Sequence, residues 1–142
     1  MQINTTNSVE ETFESGKAFS TKLSRNAAVL LYGEMGAGKT HFVKGIAVGL
    51  GITVPVTSPT FSLVNEYSGL IHFDLFRIYS EDDLYAIGFY DYIGKGVLAI
   101  EWAENIPGLK DEFDEYYTVR IEKTGDDDEQ NERRITIDYS GA

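Results

Sequence analysis

Apolar positions along the chain follow two different periods. Over residues 8–25, "SVEETFESGKAFSTKLSR", Val9, Phe13, Phe19 and Leu23 are spaced helically among polar residues. That pattern predicts an amphipathic helix, interrupted or bent near Gly16. "AAVLLYG" follows, a short continuous apolar run of the kind found in a strand buried on both faces of a parallel sheet. In "THFVKGIAVGLGI" helical spacing returns at Phe42, Val43, Ile46, Ala47 and Leu50, with Gly49 and Gly51 punctuating the end. "VTSPTFSLVNEY" is broken near its start by Pro59 and continues as a strand or an extended loop. "LIHFDLFRIY" predicts a strand through about Leu75, and "GVLAIEW" a second buried strand. Between them "SEDDLYAIGF" opens on Ser80 followed by acids, the signature of a helix start.

Two further runs, "YYTVRIEK" and "RRITIDYS", read as strands joined by the polar, acidic "TGDDDEQNE", a hairpin with a long solvated loop. A strand, a glycine loop, a helix and further buried strands define an α/β fold. The expectation is a P-loop NTPase-like three-layer domain with a mostly parallel central sheet and a C-terminal antiparallel hairpin. Its 142 residues suit one domain, 1–142, with a real core and no second domain.

Composition narrows the functional classes. Twelve basic residues against 23 acidic ones give a formal net charge of −11. Such a surface repels phosphate backbones, so no strong direct contact with nucleic acid is expected. No apolar run approaches the roughly 20 residues needed to span a bilayer, so no membrane partner is expected. The N-terminus lacks a basic region followed by an apolar one, which leaves a cytoplasmic location as the default. The absence of cysteine removes disulfides, thiolate metal sites and cysteine nucleophiles.

The chemistry concentrates in "GEMGAGKT", which fits the pattern of glycine, four residues, glycine, lysine, then serine or threonine. Glycines let the backbone turn sharply and approach phosphate oxygens. Successive N–H groups and the start of the following helix present partial positive charge to an anion. The candidate nucleotide-binding residues are Gly33, Glu34, Met35, Gly36, Ala37, Gly38, Lys39, Thr40 and His41. Lys39 is expected to reach the β- and γ-phosphates, and the Thr40 hydroxyl to take a position on Mg²⁺. A glycine-rich turn without a ligand is the alternative, but the motif follows a buried strand and opens a helix.

Hydrolysis needs an acid at the end of a second apolar strand. Glu101 after "VLAI" is the first candidate, to hold the metal or its water; Asp74 after "IHF" is the second, to polarise the attacking water. Thr60, beside Pro59, offers a hydroxyl on a constrained turn as a sensor of the γ-phosphate. His72 reads as a strand residue bonded to its neighbours, and Trp102 as either core or site. Arg77 either pairs with Glu81 or Asp82 or reaches toward the nucleotide. The chain lacks the Asn-Lys-x-Asp motif of Ras-like switches and the Ser-Gly-Gly signature of transporter ATPases. It is too short for the helical second domain of ring-forming ATPases. Five arginines are few for the lid of a small-molecule kinase.

"GEMGAGKT", "SPTFSLVNEY", "HFDLFRI", "LYAIGFYDYI" and "IEWAE" occur in the order and spacing of the bacterial TsaE (formerly YjeE) proteins. The resemblance runs from about residue 28 to residue 105. It implies a Mg²⁺-dependent ATPase needed for threonylcarbamoyl modification of adenosine 37 in tRNAs that read ANN codons, working with TsaD and TsaB. By the same resemblance Thr40 and Glu101 hold Mg²⁺, and Asp74 and Thr60 belong to catalytic or switch elements. Trp102 lies near the nucleotide, and adenine contacts map near Val9 and to Arg134. Phe76 stands where many members have tyrosine, and Ala103 where proline commonly follows. Two other readings stay open: a nucleotide-bound module without turnover, and a small-molecule kinase.

Overall fold

The run "AVLLY" forms the middle strand of a seven-stranded sheet. The computed structural model describes residues 1–34, 36–57, 63–124 and 132–141. Along the chain these form β1 (Gln2–Thr6), α1 (Val9–Ser20), β2 (Ala28–Tyr32), α2 (Lys39–Gly49), β3 (Val64–Tyr67) and β4 (Leu70–Asp74). Then come α3 (Glu81–Ala86), β5 (Val97–Glu101), β6 (Tyr116–Lys123) and β7 (Arg133–Ser140). Short 3₁₀ turns occupy Phe89–Tyr92, Ala103–Asn105 and Leu109–Glu112.

The sheet order is β1-β7-β6-β2-β5-β4-β3. The four central strands β6, β2, β5 and β4 are parallel, and both flanks are antiparallel. Burial on both faces explains the continuous apolar runs of β2 and β5 and the largely apolar β4, because alternate side chains feed two cores. Val29, Leu31, Val97, Ala99 and Leu70 pack with Phe42, Val43 and Ile46 of α2 and Phe19 of α1. Leu30, Leu98, Ile100, Ile71 and Phe73 pack on the other face with Leu84, Phe89 and Leu109 from α3 and the 3₁₀ turns. The three expected layers are present, and β6–β7 is the expected antiparallel hairpin.

One local expectation changes, one segment without an expectation forms a strand, and one open alternative is settled as a strand. First, α1 is unbroken through Gly16. That glycine lies where α1 crosses α2, and a Cβ on it would overlap the Phe42 carbonyl. Gly45 faces α1 reciprocally, its would-be Cβ overlapping the Phe13 carbonyl, with the Lys17 nitrogen 2.8 Å away. Second, the N-terminal "QINTT" is an edge strand paired with β7. Third, "VNEY" is a strand that pairs antiparallel with β4 through a turn at Ser68 and Gly69. The helix start predicted at Ser80 is present, its hydroxyl accepting from the Asp83 N–H at 3.1 Å.

The crossing yields a stability prediction. Gly45→Val drives a side chain into the α1 backbone and costs on the order of 3 kcal/mol or more. Gly108→Ala, where a Cβ meets nothing within 4 Å, stays within about 0.5 kcal/mol of wild type. Urea denaturation of the two variants measures the contrast. Equal midpoints would mean that the helices separate without penalty.

Candidate functional site

In a parallel sheet the strands deliver their C-terminal ends to one edge, where open α/β sheets place their sites. Here β2, β5 and β4 end at Tyr32, Glu101 and Asp74, with Asp74 directly opposite Glu101 in register. Period-two alternation puts His72, Asp74 and Glu101 on the face covered by α2, the helix that the glycine loop opens.

The loop takes a conformation that its glycines permit. Gly33, Gly36 and Gly38 have φ of 147°, 80° and 110°, and Gly38 is the residue immediately before α2. Outside contacts hold it. Gly33 N–H donates to the Glu104 carboxylate at 3.0 Å. Arg133 of β7 donates from Nε to the Ala37 carbonyl at 3.1 Å and from Nη2 to the Gly36 carbonyl at 3.4 Å.

Lys39, the first residue of α2, is buried. Its Nζ donates to the Gly33 carbonyl and lies 3.5 Å from the centre of the Trp102 ring. Burial pushes the Lys39 ammonium below the usual lysine range, while Glu104, Glu101 and Asp74 pull it back up. Trp102 is left-handed at φ 60°, a conformation that costs a residue without Gly's freedom about 1–3 kcal/mol. That turn brings the ring over the lysine, where it also packs on Phe76 at 5.1 Å between centroids.

Both acids are buried and tied down. Glu101 accepts from the Thr40 hydroxyl at 3.2 Å on Oε1 and 3.1 Å on Oε2. His72 Nε2 lies 2.5 Å from Glu101 Oε2; facing a carboxylate, the ring nitrogen is the donor. Asp74 Oδ1 accepts from the Phe76 N–H at 2.9 Å.

These groups border a cleft of about 560 Å³. One wall is the start of α1, with Ser8, Val9 and Thr12; the floor is 36–38 with Lys39, Thr40 and His41. Asp74, Phe76, Arg77, Glu101, Trp102 and Arg133 complete it. The α1 wall is fixed by a capping box: Ser8 accepts from the Glu11 N–H at 3.1 Å, and Glu11 reaches back to the Asn7 N–H at 3.1 Å. Thr12 is bonded to Thr6 of β1, oxygen to oxygen at 2.8 Å.

The structure thus gathers Val9, Gly36, Ala37, Gly38, Lys39, Thr40, His41, Asp74, Glu101 and Trp102 around one cleft, with Arg77 beside them. Gly33 and Glu34 belong to the loop but do not line the cleft; Gly33 supplies the carbonyl to which Lys39 donates. Met35 and Thr60 lie outside the described residues. Arg134 does not line the cleft: it is exposed and sits 3.4 Å from Glu122, on the other face of β7. Its neighbour Arg133 is the arginine that reaches the loop. Sequence reasoning passed over Arg133, Glu104, and the bond between His72 and Glu101. Only the last had a partial signal: His72 and Asp74, two apart in one strand, share a face, and Asp74 is the register partner of Glu101.

Thr40 and Glu101 offer only oxygen donors, as a hard cation such as Mg²⁺ requires. Among the described residues no cluster of three His, Cys, Asp or Glu side chains is placed to hold a metal. A cation here would complete its shell with phosphate and water oxygens, which is the usual Mg²⁺ arrangement.

A glycine loop between a central parallel strand and a buried helix, facing two acids at neighbouring strand ends, defines a P-loop α/β domain. Residues 6–135 match the family model described as "Threonylcarbamoyl adenosine biosynthesis protein TsaE", and the chain belongs to that family. A Treponema pallidum relative named tRNA threonylcarbamoyladenosine biosynthesis protein TsaE is 37% identical over 134 residues, covering 92% of this chain and 95% of the relative. A Bacillus subtilis relative of the same name is 38% identical over 137 residues, covering 93% and 82%. The crystal structure of Bacillus subtilis YdiB superposes with a TM-score of 0.75 at 32% identity, spanning 99% of this chain and 86% of that one.

Proposed function

We propose that this protein binds and hydrolyses ATP with Mg²⁺, as an accessory ATPase for threonylcarbamoyl modification of adenosine 37 in tRNAs reading ANN codons, together with TsaD and TsaB. The observation that carries the reading is the meeting of Thr40, first turn of the loop's helix, with Glu101 at the end of the adjacent strand. Family membership supports the pathway.

The residues divide the work. The loop's backbone N–H groups and the start of α2 receive the phosphates. Lys39 leaves the Gly33 carbonyl for the β- and γ-phosphate oxygens. Thr40 and Glu101 would hold Mg²⁺, which would supply positive charge to offset that of the phosphates. Asp74, steadied by the Phe76 N–H, orients the attacking water and takes its proton as the water oxygen bonds to the γ-phosphorus and the bond from that phosphorus to the β–γ bridging oxygen breaks, with ADP as the leaving group. Val9 and Ser8 at the start of α1 wall the cleft, and the base of the nucleotide lies against them. Arg133 holds the loop's shape rather than the substrate.

Among the described residues no helix is long and apolar enough to cross a membrane. The charge of −11 leaves tRNA to the partner proteins. Phosphate release is therefore slow for the isolated chain and rises by more than about tenfold with TsaD and TsaB, as their docking completes the site. Recovery of TsaD–TsaB in a pull-down is greatest with ATP, because a ligand shifts assembly only through differential affinity. Equal recovery with ATP, ADP and no nucleotide, together with hydrolysis unchanged by the partners, overturns this reading.

A further inference from the structure

His72 stands out as the one polar residue in β4 before its terminal aspartate, in the run Leu70, Ile71, His72, Phe73. It is fully buried, faces α2, and pairs across the sheet with Ala99. Its Nε2 is 2.5 Å from Glu101 Oε2, while its Nδ1 is buried with no hydrogen-bond partner among the described residues. A histidine kept for packing alone would be better replaced by an apolar side chain, since each buried nitrogen without a partner is penalised. Among the described residues this ring makes a single polar contact, and that contact is with Glu101.

What the contact contributes follows from the other donor. The Thr40 hydroxyl is almost equidistant from the two Glu101 oxygens, at 3.1 and 3.2 Å. It therefore does not distinguish one oxygen from the other, and the terminal torsion of a glutamate is intrinsically broad. His72 binds Oε2 alone. Two donors of different geometry fix the plane of the carboxylate, where one would leave it free to turn.

We propose that His72 is a positioning residue: its Nε2–H orients the Glu101 carboxylate for the divalent cation shared with Thr40. The proposal rests on the reading above that Glu101 holds that cation. Removing such an outer partner of a metal-binding carboxylate typically costs about 10–100-fold in metal affinity or activity.

The probe is Mn²⁺ titrated against protein and ADP, followed by electron paramagnetic resonance, with ADP binding in EDTA measured separately. His72→Leu weakens Mn²⁺ by 10–100-fold, the usual loss for an outer partner, and changes metal-free ADP affinity by less than about threefold. His72→Gln, whose amide nitrogen reaches the position of Nε2, recovers most of the loss. Mn²⁺ affinity within about twofold of wild type in the leucine variant overturns the proposal, as does a glutamine variant equally weak. Glu101→Gln separates the two readings: if it too leaves Mn²⁺ affinity unchanged, the metal role of Glu101 fails and this proposal with it. Should the leucine variant not fold, long-range ¹H–¹⁵N spectra of wild type decide, since the chain has only two histidines. The expected result is a protonated Nε2 whose resonance moves when Mg²⁺ and ADP are added. Protonation on Nδ1 instead, or a resonance indifferent to both, overturns it.

Discussion

Lys39→Met eliminates useful binding of Mg²⁺–ATP while leaving the protein folded. The cleft holds Asp74 and Glu101, and Glu104 stands directly behind the loop. Without the lysine, phosphates approach these carboxylates with one less cation to offset them. Arg133 does not substitute, because its guanidinium is bonded to the carbonyls of Gly36 and Ala37. A charge-assisted bond to phosphate is worth roughly 1.5–3 kcal/mol, and Lys39 makes more than one, so affinity falls by at least about 100-fold.

Folding is affected much less. Burial already disfavours the ammonium, pushing it below the ordinary lysine range. Among the described residues its partners are the Gly33 carbonyl and the face of Trp102. Methionine keeps the contact with the ring and removes the charge. Calorimetry with ATP and Mg²⁺ measures binding, and thermal denaturation without nucleotide measures folding. Wild-type affinity in the variant would mean that the loop does not hold phosphate.

The elements that build the site were legible because each obeys a single rule. β2 and the body of β5 are apolar, since both their faces are covered, β4 is apolar but for His72 and its terminal Asp74, and the glycine motif marks the turn between β2 and α2. Where two physical causes leave the same letter, the sequence is silent. Gly16 reads as a helix interruption, yet it is a point of close approach to Phe42 on α2. β1 carries little apolar signal because an edge strand pairs through its backbone and leaves residues such as Ile3 exposed. Arg133 and Arg134 are adjacent, and alternation in the strand sends them to opposite faces; only the register with β6 and the loop decides which one reaches the site. Glu104 could not be assigned to the loop because its position depends on the left-handed turn at Trp102. That turn is set by tertiary packing on Lys39 and Phe76.

Glu101→Gln separates binding from turnover. The amide occupies the same volume, so the phosphates keep the loop amides and Lys39. What changes is charge: the cation loses its anionic oxygen, while an amide oxygen at the Oε2 position still accepts from both His72 and Thr40, and the Thr40 hydroxyl can accept from the amide nitrogen at the other. ATP affinity in EDTA therefore stays within about threefold of wild type, while hydrolysis with Mg²⁺ falls by roughly 10²–10³-fold, the usual loss when one electrostatic contact to developing charge is removed. Asp74→Asn gives a different profile if Asp74 serves the water: slower hydrolysis with the Mg²⁺ requirement unchanged. Phosphate release measured against Mg²⁺ concentration distinguishes them, Glu101→Gln raising the Mg²⁺ needed for half-maximal rate and Asp74→Asn lowering only the maximum. A Glu101→Gln variant that hydrolyses ATP at the wild-type rate would transfer the metal role to Asp74. If Asp74→Asn were silent as well, neither acid would serve turnover and the hydrolytic roles given to both would fall.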